Sequence, residues 1–190
     1  MRATLIMLLL AATAAHAFEL RRDRDGDVVG WKGPIHFVVD SELDARLAAP
    51  GALEAVKAAV AAWAQTMPGV DVTVEAGAAQ PPGLSRLETT QSSITVCERD
   101  WPYDPGVMAV TIVAVDRMND RIVGADIVLN AAQNRFRVLE PSSVRGGAFA
   151  DVQNTVTHEL GHALGLQHEE ARLEAVMYPL AYNGDVDKRR

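Results

Sequence analysis

Apolar positions along the chain recur with two different periods, and the changes of period mark the elements. "PIHFVVD" (34–40) reads as the first clear strand. Leu53, Val56, Val60, Trp63 and Met67 then follow steps of three and four, which predicts an amphipathic helix. Pro50 suits its start, and Pro68-Gly69 stops it. "VDVTVEAG" (70–77) alternates with the strand period and runs into a Pro-Pro-Gly loop, and "SITVCERD" (93–100) reads as a third strand. "VMAVTIVAVD" (107–116) is nearly all apolar and β-branched, as expected of a central strand covered on both faces. A turn around Met118-Asn119-Asp120 leads into "RIVGADIVLN" (121–130), where Val123, Ala125, Ile127 and Leu129 alternate. So short a connection implies an antiparallel hairpin, with its second strand expected at an edge.

Residues 131–150, with Pro141 and Gly146-Gly147, form a long loop that serves either as a functional rim or as a connector. It ends at Asp151, a suitable N-cap for a last helix with Val152, Val156, Leu160, Ala163 and Leu164 on its buried stripe. Helix, strands, hairpin and final helix together read as an α/β layer fold.

Composition changes this picture at the start of the chain. Arg2, the apolar run Leu5 to Ala12 and Ala15-His16-Ala17 make residues 1–17 a secretory signal peptide, too short to span a bilayer. The mature chain would begin near Phe18, with no cysteine there for a lipid anchor, and would leave the cytoplasm for the periplasm or the exterior. No later stretch is long and apolar enough for a membrane helix. Removing Arg2 leaves 17 basic against 25 acidic side chains, which argues against a nucleic-acid footprint. Residues 18–33, "FELRRDRDGDVVGWKG", read as a short, exposed and mobile charged leader ahead of a single domain over 34–190. Its "DRDGD" lacks the later ligands of a calcium loop. Cys97 is the only cysteine, so no internal disulfide forms, and it reads as a strand residue.

The chemistry concentrates in "HELGHALGLQHE" (158–169), which holds three of the five histidines. His158 and His162 are four residues apart and therefore share one face of the last helix. Gly165 lets the chain leave that helix and return His168 as a third ligand. Three imidazoles can hold one Zn²⁺ and leave a fourth position open to water, as in a catalytic zinc site. Glu159, rotated about 100° from His158, can face that water and act as general base. His36 lies in a strand pattern and reads as structural.

These residues resemble the metzincin motif His-Glu-x-x-His-x-x-Gly-x-x-His with a later methionine turn, for which Met177 is the candidate. "Met-Tyr-Pro" at 177–179 is similar to the matrixin branch, the matrix-metalloprotease-like enzymes. The resemblance implies a twisted five-stranded mixed sheet with an antiparallel edge strand, a packing helix, an active-site helix and a methionine turn. "RIVGADIVLN" would be the edge strand on the upper rim of the cleft. It further implies a monomeric zinc endopeptidase that pairs an extended protein or peptide with that edge. Tyr178 and Pro179 would line the pocket for the side chain after the cut. Calcium is compatible with the acidic balance and with the family, although no calcium ligands stand out.

Three departures qualify the likeness. The leader is short for a matrixin propeptide and holds no cysteine, and the chain ends at "GDVDKRR", where the family continues into a last helix. The expected tyrosine two residues beyond Pro179 is displaced to Tyr182. Two alternatives stay open: a zinc-binding scaffold without turnover, and a peptidase of another metzincin branch with Tyr178 or Tyr182 on the metal.

Overall fold

The computed structural model of the chain describes residues 19–67, 69–79, 91–143 and 145–189. The expected signal peptide, the helix stop at Pro68 and the Pro-Pro-Gly loop at 81–83 lie outside the described residues. In chain order the elements are β1 (Glu19–Leu20), β2 (Ile35–Asp40), α1 (Leu43–Arg46), α2 (Ala52–Thr66), β3 (Val72–Gly77) and β4 (Ser92–Cys97). β5 (Ala109–Asp116), β6 (Arg121–Asn130), β7 (Phe136–Arg137), β8 (Ala150–Asp151), α3 (Val152–Ala163) and β9 (Leu166–Gln167) follow.

Five strands form one sheet in the order β3-β2-β4-β6-β5. The first four are mutually parallel, and β5 closes the row antiparallel to β6. Because strand side chains alternate, Phe37, Val39, Ile94, Val96, Ile127 and Leu129 all emerge on one face. There they meet Val56, Val60 and Trp63 of α2 and Val152, Val156 and Leu160 of α3, giving one continuous core. Trp63 also donates from Nε1 to the Thr157 carbonyl at 2.8 Å, which pins α2 to α3. The start of α2 is capped from α1, an element the apolar pattern does not signal. Asp44 accepts from the backbone N–H groups of Gly51 and Leu53 at 2.7 and 2.8 Å.

Two expectations are corrected. The antiparallel edge strand is β5, and β6 lies inside the sheet between β4 and β5. β6 is buried almost throughout because it has a neighbour on each side. β5, despite its apolar sequence, is mostly half-buried, since it packs on α3 with one flank unpaired. The charged segment before residue 34 is not simply exposed. β1 pairs antiparallel with β9, Arg21 N–H donates to the Gly165 carbonyl at 2.7 Å, and Val29 is buried. Trp31 Nε1 donates to the Ala163 carbonyl at 2.8 Å, satisfying an acceptor at the end of α3 that has no partner within the helix.

After α3 the chain makes turns and packs back onto that helix. Lys188 N–H donates to Asn154 Oδ1 at 2.7 Å, and the Arg189 guanidinium clasps the N-capping carboxylate of Asp151. No helix among the described residues is long and apolar enough to cross a membrane.

Candidate metal centre

α3 begins where its sequence predicts: the Asp151 carboxylate accepts from Asn154 N–H at 2.7 Å. Val152, Val156, Leu160 and Ala163 turn into the core, which leaves His158 and His162 on another face. The helix stops at Ala163, and Gly165 reverses the chain with φ +95°. A Cβ there would also stand 3.1 Å from the Val29 carbonyl and 3.3 Å from Ile122 Cδ1. Glycine is therefore required twice, for its dihedral and for the close approach of the N-terminal segment. β9 then carries His168 back to the other two histidines.

The rings converge. Their centroids lie 4.9, 5.3 and 4.7 Å apart, and one nitrogen from each falls within 4.8 Å of the others. His158 Nδ1 donates to the Val176 carbonyl at 2.7 Å, and His162 Nδ1 to the Leu166 carbonyl at 3.0 Å. A carbonyl only accepts, so these contacts assign the protons to Nδ1 and leave Nε2 of both rings with a bare lone pair. His162 Nε2 and His168 Nε2 are 3.1 Å apart. Two ligands at 2.0–2.1 Å in a tetrahedron would stand about 3.3 Å apart, so the donor set fits zinc. Burial lowers all three imidazole pKa values, that of His158 to about 3, which favours the neutral, ligating form. Among the described residues no other group of three or more His, Cys, Asp or Glu side chains is arranged to hold a metal.

Glu159 is 7% exposed and faces the same cleft. Thr111 Oγ1 of β5 reaches Glu159 Oε2 at 2.6 Å. Burial raises the Glu159 pKa to about 7, against the opposing pull of the Thr111 hydrogen bond and the Lys188 charge. Thr111 is the one polar side chain inside the apolar run 107–115, and that break was the signal available for it. Met177 is buried beneath α3 against Gly161, and the adjacent Val176 carbonyl is the one that holds His158.

The cleft, about 530 Å³, is walled by β5 from Ala109 to Thr111 on one side and by Pro179, Leu180 and Ala181 on the other. Tyr178 is half-buried beside it and turns its carbonyl to Lys188 Nζ. Tyr182 is 52% exposed beneath the Arg145 guanidinium and lines an adjoining cavity rather than the histidine cleft. Lys188 lines the cleft with 6% exposure, and burial lowers its pKa to about 8. Nothing in the apolar pattern or the motif points to Lys188 or to Arg21, which also borders the cleft.

An edge strand standing over a helix that bears two of three convergent histidines, on a five-stranded mixed sheet, defines a zinc metallopeptidase catalytic domain. The chain belongs to the matrixin family (peptidase M10), whose family model matches residues 11–189. Among curated proteins none matches the chain. Membership with an intact histidine triad makes it a zinc metalloendopeptidase, and the family implies protein substrates.

Proposed function

We propose that this matrixin is a secreted endopeptidase that holds an extended stretch of protein against β5 and hydrolyses it with Glu159 as general base. The observation that carries the reading is the carboxylate of Glu159, buried in the cleft of the three histidines and oriented by Thr111. His158, His162 and His168 would hold the zinc, which when bound polarises the scissile carbonyl and acidifies water.

The remaining work falls to the chain itself. Glu159 takes a proton from the attacking water and passes it to the departing amine. A pKa near 7 makes it a competent acceptor and then a competent donor. Thr111 fixes the carboxylate so that this proton path is not lost to rotation. The unpaired flank of β5 offers N–H and C=O groups to an extended peptide, as an added strand would use them. Pro179 and its neighbours wall the pocket for the side chain after the cut, and Met177 supports the histidines from below. Residues 1–17 direct export, and 34–190 form the catalytic domain with 18–33 as its N-terminal brace.

The test begins with purified protein, which should hold about one zinc per chain and cleave an unfolded protein, with chelation abolishing cleavage. Glu159→Gln should keep the zinc and lose roughly 10²–10⁴-fold in kcat. Undiminished turnover in that variant would remove Glu159 from the mechanism, and zinc without any wild-type cleavage would leave a binding protein.

A further inference from the structure

Lys188 is a cation in an unusual place. Its Nζ donates to the Tyr178 carbonyl and lies 3.3 Å from His158 Nδ1, whose own proton goes to Val176. An ammonium has three donors, and here one carbonyl is the only productive acceptor among the described residues. No carboxylate among them stands within ion-pairing distance of it, although five other arginine or lysine side chains pair with carboxylates. Buried charges are normally paired, because leaving one unpaired costs several kcal/mol at the order of magnitude.

Two carboxylates, Glu159 and Asp185, attract Lys188 through space, but each is bonded elsewhere, Glu159 to Thr111 and Asp185 to Arg145 and Tyr182 N–H. The residues lining the cleft include two basic side chains, Arg21 and Lys188, and a single carboxylate, Glu159. Arg21 Nε is buried and has no acceptor among the described residues. Glu159 is engaged by Thr111, and any metal on the histidines would add further positive charge. A chain with a formal charge of −7 therefore keeps a cationic cleft, which focuses its field on incoming anions.

The position of Lys188 along that cleft is set by its contact. It grips the carbonyl of Tyr178, the residue before Pro179, and its backbone is tied to Asn154 on the first turn of α3. Pro179, Asn154 and Lys188 all line the same cavity. On the proposed function above, on which this inference rests, that wall bounds the pocket for the side chain just after the cut. We infer that Lys188 makes this pocket select acidic side chains, so that the substrates are protein segments with Asp or Glu immediately after the scissile bond. The incoming carboxylate supplies the partner that the fold leaves out, while Met108, Val110 and Leu180 of the lining pack against its methylene groups.

A purely structural Lys188, a strut between the tail and the methionine turn, would affect stability and leave selectivity alone. The experiment separates the two. Zinc-loaded wild-type protein is given a diverse peptide library, then matched peptides that differ only by Glu or Gln after the cut. We expect acidic residues to be enriched there, and kcat/KM to favour Glu by roughly 10- to 100-fold, the worth of a charge-assisted hydrogen bond. In Lys188→Met the Glu-to-Gln ratio should fall close to one, and in Lys188→Arg it should persist. The ratio is taken within one preparation, so it does not depend on how much of a variant folds. Cleavage without acidic enrichment in the wild type overturns the inference while leaving the peptidase reading intact, even if Lys188→Met yields no active protein. An undiminished ratio in Lys188→Met overturns it equally. Failure of the wild type to cleave any peptide would instead defeat the proposed function.

Discussion

Gly161 occupies the third position between the helical histidines, where a helix would gain up to about 1 kcal/mol from alanine. A Cβ at that position would stand 2.2 Å from Met177 Sδ and 3.1 Å from Trp63 Cζ2. Met177 is 1% exposed, so its thioether has no open space into which to retreat. Gly161→Ala should therefore destabilise the zinc-loaded protein by about 1–3 kcal/mol despite the better helix propensity. Denaturant unfolding checks this, and an unchanged midpoint would mean that methionine and helix do not pack this closely. At the scale of single residues the histidines and Gly165 were legible because one ion and one turn constrain their spacing. Thr111 left a visible break in an apolar strand. Lys188 left none, because its meaning comes from a tail that folds back over residues more than thirty positions earlier, such as Asn154.

The elements themselves were legible wherever one period ran unbroken, as in α2 and α3, and their neighbours were not. β5 and β6 show why. An apolar run indicates that side chains avoid water, but a cleft wall satisfies that as well as a sheet interior does, so β5 reads as central while standing at the edge. The N-terminal segment illustrates the converse. Its charges suggested solvent, while Val29 and Trp31, placed among those charges, supply the contacts that secure the end of α3. At the opposite end of α3 the decisive residue is Asp151. Its side chain, fully buried, caps Asn154, accepts from Leu139 N–H at 2.9 Å and receives Arg189. A cap alone is worth about 1 kcal/mol, and stranding a largely buried guanidinium adds to that. Asp151→Ala should thus cost about 2–4 kcal/mol, measured as a lowered urea midpoint with an unchanged slope. A loss of only a few tenths would show that Arg189 finds equal company elsewhere.

Across the whole molecule the metal centre joins parts that the sheet does not hold together. His158 and His162 ride on α3, His168 follows β9, and the outer nitrogens of the first two are fixed by Val176 and Leu166 carbonyls. The core of Phe37, Ile94, Ile127, Val56 and Leu160 is built of apolar side chains from the sheet, α2 and α3, none of which is a metal ligand. Zinc should therefore stabilise a domain that already folds, adding RT ln(1 + [Zn]/Kd), about 2.7 kcal/mol at a free concentration one hundred times Kd. For a domain of this size each kcal/mol moves Tm by roughly 2–4 °C. Stripping the metal should lower Tm by about 5–10 °C, and the transition should stay cooperative because the sheet and α2 remain packed. Restoring zinc should recover the difference, whereas His168→Ala should weaken the response by removing a ligand that stands outside α3. A Tm indifferent to zinc would mean that the three imidazoles hold no ion, and a molten chelated state would mean that the core depends on the metal after all.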